Sequence, residues 1–275
     1  MQLVPLIAAA ILKNASLFHY RVQNMIEIIK AGDRHFTDFG WLKTYWLFSF
    51  ADYYDPHNIQ FGALRVFNDD VVAPGTGFPT HPHREMEIIT IVLDGEMTHE
   101  DNMGNRTVIR AGDVQRMSAG TGLTHSEFNL ADKPVHFCQV WIFPDVAGLT
   151  PSYDQRSFTP NLWRNRLCPL ASGQRLPDTV SFHTDATLYR CALDAGKDVV
   201  FKQTFGRRVF IYLTAGMLSI NSSLLAAGEQ ARIDLDEPLV IKAGTDADFI
   251  LIDVPSCKGW GYNRETLKGA RRQQG

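Results

Sequence analysis

Two short histidine motifs hold the residues best suited to chemistry in this 275-residue chain: Thr-His-Pro-His-Arg at Thr80 to Arg84 and Leu-Thr-His-Ser-Glu at Leu123 to Glu127. Each sets two metal-competent side chains at i and i+2, and on an extended strand such residues share a face. Two pairs on neighbouring strands can aim three imidazoles, from His81, His83 and His125, and one carboxylate at a single ion. Nitrogen and oxygen donors without a thiolate suit Fe, Mn, Ni, Cu or Zn. One His-x-His alone reads equally well as a surface pair; two within one strand-rich segment favour a shared ion.

The surrounding segments must supply those strands. From Ile88 the chain runs in short apolar stretches cut by turn residues, the spacing of a β-sandwich or barrel. Ile88 to Leu93 reads as a strand, Asp94-Gly95 as a hairpin turn that tolerates positive φ, and Glu96 to Glu100 as the return. Asn102 to Asn105 turns again, Thr107 to Arg110 and Val114 to Met117 flank Ala111-Gly112-Asp113, and a loop with Gly120 and Gly122 leads to the strand of His125 and Glu127. Val135 to Phe143 closes the set, with no convincing amphipathic helix.

The same order returns at Val209 to Leu213, Ala215-Gly216, Met217 to Ile220, Ala227-Gly228-Glu229 and Gln230 to Ile233, followed by Leu239 to Lys242 and Phe249 to Val254. So long a period marks a duplicated domain rather than a solenoid repeat. The second copy has no histidine after His183 and cannot rebuild the ligand set. The expectation is an N-terminal module at 25–145, a proline-rich linker at 146–185 with room for a short helix or two, and a C-terminal module without ligands at 186–256.

Composition narrows the function. A 45% hydrophobic content can bury one or two cores, and a net charge of -3 gives no reason to expect nucleic acid or an anionic membrane. Cys138, Cys168, Cys191 and Cys257 form no C-x-x-C, which offers neither a zinc knuckle nor a dithiol motif and fits a reduced cytoplasmic setting. Met1 to Leu12 is apolar but follows no basic residue and is too short to span a bilayer. Residues 1–24 read as a loose extension or upstream start, and 257–275 as a solvated tail. His19 lies in that extension, His35 and His57 read as surface residues, and His99 and His136 as structural or supporting residues in strands. No Ser-His-Asp arrangement, P-loop or G-x-G-x-x-G competes.

The stretch from Gly77 through His81, His83 and Arg84 to Gly95, with Gly112 to Gln115, Ser118 to Gly122 and His125 to Glu127, resembles the pirin family of bicupins, closest to its bacterial quercetin 2,3-dioxygenase-like members. Ile28 to Arg34 and Gly148 to Tyr153 extend the resemblance over roughly residues 25 to 256. It implies an all-β bicupin: two antiparallel β-sandwich (jelly-roll) domains with few short helices. It also implies one divalent metal held by His81, His83, His125 and Glu127, with Fe2+ the first expectation and Mn, Ni, Cu, Co or Zn open.

The general cupin pattern would instead take Glu87, four residues after His83. The pirin pattern takes Glu127 and leaves Glu87 to orient an imidazole. Strand parity, with Glu85 and Glu87 on the face of His83, does not decide between them. The implied activity is cleavage of a flavonol such as quercetin by dioxygen, releasing carbon monoxide, with Glu127 or Glu87 taking the 3-hydroxyl proton. Phe61, Phe67 and Phe78 are candidates for a flat apolar pocket. The family also implies an alternative, a non-enzymatic, redox-sensing regulator. A cytoplasmic monomer that meets a small aromatic substrate and dioxygen, rather than nucleic acid or membrane, completes the expectation.

Overall fold

Residues 25–256 are described by the computed structural model, and nearly all their regular structure is strand. In chain order these are β1 (Met25–Ile29), β2 (His35–Asp38), β3 (Leu42–Trp46), β4 (Leu64–Val72), β5 (Thr76–His83), β6 (Glu87–Asp94), β7 (Glu96–Asp101), β8 (Arg106–Arg110), β9 (Asp113–Ser118), β10 (Leu123–Asn129), β11 (Val135–Ile142) and β12 (Ser152–Ser157). There follow β13 (Cys168–Ser172), β14 (Val180–Ser181), β15 (Thr187–Leu193), β16 (Asp198–Phe201), β17 (Arg207–Ala215), β18 (Met217–Ile220), β19 (Ser223–Ala226), β20 (Gln230–Asp234), β21 (Leu239–Ala243) and β22 (Ala247–Pro255).

Each half pairs a seven-stranded sheet with a four-stranded one. The first half has the orders β12-β9-β6-β11-β4-β3-β2 and β5-β10-β7-β8; the second has β1-β20-β17-β22-β15-β13-β14 and β16-β21-β18-β19. The duplication shows in the turns. Gly95 joins β6 to β7 with φ +77°, and a Cβ there would meet the Pro134 carbonyl at 2.7 Å. Gly216, φ +84°, joins β17 to β18 in the same way. Only glycine combines that dihedral with so close an approach.

The two seven-stranded sheets pack against each other. Phe48, Phe67, Ile89, Ile91 and Val140 of the first half share one core with Phe210, Tyr212, Ile250 and Ile252 of the second. Along β6, Ile89 and Ile91 therefore point to the interface, while Ile88 and Val92 pack inside the first sandwich.

Two features differ from the sequence expectation, and one strand, β4, had no assignment in it. β1, read with the first module, hydrogen-bonds to β20, with Ile26 opposite Ile233 and Ile28 opposite Ala231, because its isoleucines pack on the second core. The stretch read as a linker contributes β12 to the first large sheet and β13 and β14 to the second, with one 3-10 turn at Pro160–Leu162. β4 precedes Ile88, where the sequence reading of strands begins, and it runs near the middle of a sheet between β11 and β3 despite the polar run Asn68-Asp69-Asp70. No helix among the described residues is long and apolar enough to cross a membrane. The expectations for 1–24 and 257–275, including His19 and Cys257, lie outside the described residues.

Candidate metal centre

β5 forms an edge of its sheet, which is why it tolerates Pro79 and Pro82 beside the first histidine pair. It runs antiparallel to β10, with His81 opposite His125 and His83 opposite Leu123. The register slips between His125 and Glu127, so that Glu127 faces Phe78. Alternation along β10 turns Leu123, His125, Glu127 and Asn129 into the sandwich.

The three rings converge. Their centroids lie 4.8 Å apart for His81 and His83, 4.4 Å for His81 and His125, and 4.8 Å for His83 and His125. One ring nitrogen from each falls within 4.8 Å of the others. The Glu127 carboxylate belongs to an overlapping group with His125 and His99.

Burial suppresses protonation of every imidazole here. It lowers His81 against the pull of the Pro79 carbonyl, takes His83 down to about 3 with help from His81, and lowers His125 further, the neighbouring histidines adding to the effect. Near neutrality the rings therefore hold free lone pairs, the state a metal needs. His83 Nδ1 and His125 Nε2 are buried with no hydrogen-bond partner in the protein. Two orphaned nitrogens among three neutral imidazoles fit a divalent transition ion.

The ring orientations are fixed from outside. His81 Nδ1 lies 2.8 Å from the Pro79 carbonyl, which can only accept, so this nitrogen carries the hydrogen and Nε2 keeps its lone pair. Behind His125 stands His99, fully buried, with Nδ1 a long 3.5 Å from His125 Nδ1 and Nε2 at 3.1 Å from Asp101 Oδ2. Burial alone would raise the Asp101 carboxyl, yet bonds from Asn105 and His99 bring it below its ordinary value. An ionised Asp101 accepts from His99, His99 accepts from His125 Nδ1, and His125 Nε2 is left for the ion. His99 also stacks on Tyr153 at 4.8 Å.

Glu127 is held by two amides, Gln139 Nε2 at 3.0 Å and Gln115 Nε2 at 3.4 Å. Burial pushes its carboxyl up to about 7, with both glutamines opposing. Trp46, Asn68, Gln139, Thr90, Gln115 and Gln155 stand opposite one another across β3, β4, β11, β6, β9 and β12, a polar row on the sheet beneath the site. None of Asn68, Thr90, Gln115 and Gln139 stands out in sequence, because nothing in their spacing announces a row that runs across strands. His99 was noticed but not placed beside His125.

Glu87 does not orient any of the three imidazoles. The chain turns at Glu85, φ +51°, so β5 and β6 are separate strands in different sheets and parity does not carry across. The Glu87 carboxylate accepts from Ser118 Oγ at 2.7 Å and lies 3.1 Å from His183 Nδ1 of the second half. Burial raises it, and Ser118, Arg116 and His183 oppose that rise. His35 is likewise no free surface residue, since it stacks between Trp46 and Tyr53.

A cavity of about 370 Å³ opens onto the cluster, lined by Trp41, Trp46, Phe50, Phe78 and Trp141 together with His81, His83 and Glu127. Of the three phenylalanines expected there, only Phe78 lines it. Phe67 alternates to the opposite face of β4, and both Phe61 and Phe67 belong to the core between the halves. Asp70 also lines the cavity, and burial pushes its carboxyl up to about 8.

Comparison with known proteins follows this geometry. Residues 30–142 match the Pirin family, and residues 170–254 match the Quercetinase C-terminal cupin domain. A protein of Escherichia coli K12 named quercetin 2,3-dioxygenase is 40% identical over 232 residues, 84% of this chain and 99% of its own length. A pirin-like protein of Caulobacter vibrioides is 42% identical over 218 residues, 79% of this chain and 94% of its own. The solved structure of the bacterial pirin YhhW from Escherichia coli in complex with nickel(II) aligns with a TM-score of 0.80 at 40% identity, covering 84% of this chain and 100% of that one.

Proposed function

We infer that this chain, which belongs to the pirin family of two-domain cupins, is a metal-dependent dioxygenase that opens a flavonol such as quercetin. The carrying observation is that two of the clustered imidazoles and the Glu127 carboxylate reach the wall of a cavity otherwise lined by aromatic faces. Flat walls suit a flat substrate, and the few polar groups fix its orientation.

His81, His83, His125 and Glu127 would hold the ion. When bound, it supplies Lewis acidity and electron exchange with dioxygen. The protein does the rest. Trp41, Trp46, Phe78 and Trp141 exclude bulk water and hold the ring system. Glu127, held between two amides beside the cavity, receives the 3-hydroxyl proton on its carboxylate. Gln115 and Gln139 keep that carboxylate aimed as its charge changes. Fe2+ is the first candidate because it exchanges electrons with dioxygen readily; nickel(II), which the Escherichia coli pirin holds, is next. We place the protein in the cytoplasm as a monomer, in keeping with the free thiols of Cys138, Cys168 and Cys191.

The test is oxygen consumption with quercetin by metal-analysed protein, beside a His81→Ala, His83→Ala variant. Uptake that tracks metal content and disappears in the variant supports the dioxygenase. No uptake by a fully loaded protein overturns it and turns attention to a metal-dependent regulator.

A further inference from the structure

The cavity has a polar patch that the cluster of histidines does not use. Asn68 and Asp70 of β4 are each 3% exposed, and both line the cavity. Asn68 Oδ1 has no hydrogen-bond partner in the protein, and Asp70 Oδ1 lacks a close one, the Thr44 hydroxyl opposite it in register interacting favourably with its carboxyl at longer range. Buried polar atoms of native proteins are nearly always satisfied, so two adjacent exceptions facing one cavity need an explanation.

The sheet does not impose them. The next position along the same face of β4 is Val72, which stands opposite Leu42 and Val135, and this apolar trio packs without difficulty. Leucine or valine at 68 and 70 would continue that pattern. Their placement relative to the chemistry is fixed by register: Asn68 stands directly opposite Gln139, which donates to Glu127, and on its other side opposite Trp46. The two oxygens thus lie one strand beyond the Gln139–Glu127 contact, beside an aromatic wall.

We propose that Asn68 and Asp70 form a hydroxyl-recognising subsite, which selects flat aromatic substrates bearing a phenolic hydroxyl over β4 in addition to the group presented to the metal. This rests on the flavonol reading above. A phenolic O–H donates to the Asn68 and Asp70 oxygens; a bare C–H leaves them buried without a close partner, and sites built this way discriminate strongly against the analogue that lacks the hydroxyl.

Two probes separate the possibilities: quercetin, with hydroxyls on both ring systems, and 3-hydroxyflavone, with the metal-facing hydroxyl alone. Steady-state oxygen uptake with both is measured for metal-analysed wild type, Asn68→Leu, Asp70→Leu and the conservative Asp70→Asn. Dissociation constants for both compounds on metal-free protein are measured by quenching of tryptophan fluorescence. The wild type is expected to favour quercetin by at least about tenfold in kcat/KM and in Kd. Each leucine variant should collapse that ratio toward one through KM rather than kcat, with unchanged metal content, and Asp70→Asn should retain it. A ratio that survives both leucine substitutions overturns the subsite, and so does one that is already near one in the wild type; buried water then satisfies the two oxygens. If neither compound drives oxygen uptake in the loaded wild type, the dioxygenase reading fails, and the Kd ratio alone decides the subsite.

Discussion

His125 can present Nε2 to an ion only while something holds its other nitrogen, and His99 backed by Asp101 is placed to do so. Removing such a partner usually costs tenfold to a hundredfold in metal affinity. His99→Ala is therefore expected to weaken metal binding by that factor in a competition titration against a chelating dye, although His81, His83, His125 and Glu127 are intact. A second contrast separates two carboxylates that sequence left as alternatives. Glu127→Gln should lower metal affinity at least tenfold, whereas Glu87→Gln should leave it within about twofold, because Glu87 faces Ser118 and His183 rather than the cluster. Equal losses in the two variants would return Glu87 to the ligand set.

At the scale of the strand, the site depends on β5 and β10 keeping their register, since a slip of one residue would turn every second side chain to the other face. Gly95 is not a hairpin turn as the sequence suggested: it carries the chain from β6 in the large sheet to β7 in the small one, and β7 pairs with β10 on the side away from β5. Gly95→Ala would meet the positive φ and the Pro134 carbonyl at 2.7 Å together. The expected cost is about 2 to 4 kcal/mol, the sum of a left-handed penalty and local overpacking, read as a lower midpoint in urea denaturation. The motif Ala-Gly-acid and the Asp94-Gly95 turn made β6 to β11 legible in sequence, because turn chemistry is local. β4 precedes that run, and its polar Asn68, Asp69 and Asp70 become strand residues only when β11 and β3 pair on both sides.

Across the whole molecule, the two halves are joined by a shared core and by a polar lock around Asp69. Its carboxylate accepts from Tyr212 Oη of the second half and lies 2.6 Å from His136 Nε2, with Arg34 NH1 at 3.7 Å. Burial alone would raise Asp69, but His136 first, then Tyr212 and Arg34, hold it below its ordinary value; the bond to Asp69 raises His136 against burial. Asp69 thus contributes stability above 3.8 that fades as pH falls through its lowered value, and His136 contributes below 6.5 and loses it as pH rises through its raised value. The advantage of wild type over His136→Gln should be largest between those two ordinary values and shrink in alkali. Its size should stay at or below about 1 kcal/mol, since the imidazole is partly exposed and screened. Tyr212→Phe, which leaves the buried carboxylate short of a donor, should cost about 1 to 3 kcal/mol. Denaturation curves across the pH range check both, and a pH-independent difference for His136→Gln would remove the charge from the account.

The sequence by itself determined what depends on local spacing: the strand-rich duplication, the i and i+2 histidine pairs, and the family they resemble. Those follow from backbone periodicity and turn chemistry, which a chain carries within a few residues. Tertiary structure decided what depends on pairing between distant strands. It sent β1 to the far half, turned Glu87 toward His183, set His99 behind His125, and lined up Asn68, Gln139 and Gln115 across the sheet beneath Glu127. A side chain's face is written in its own strand, but its opposite number belongs to a strand whose place only the packed sheet defines.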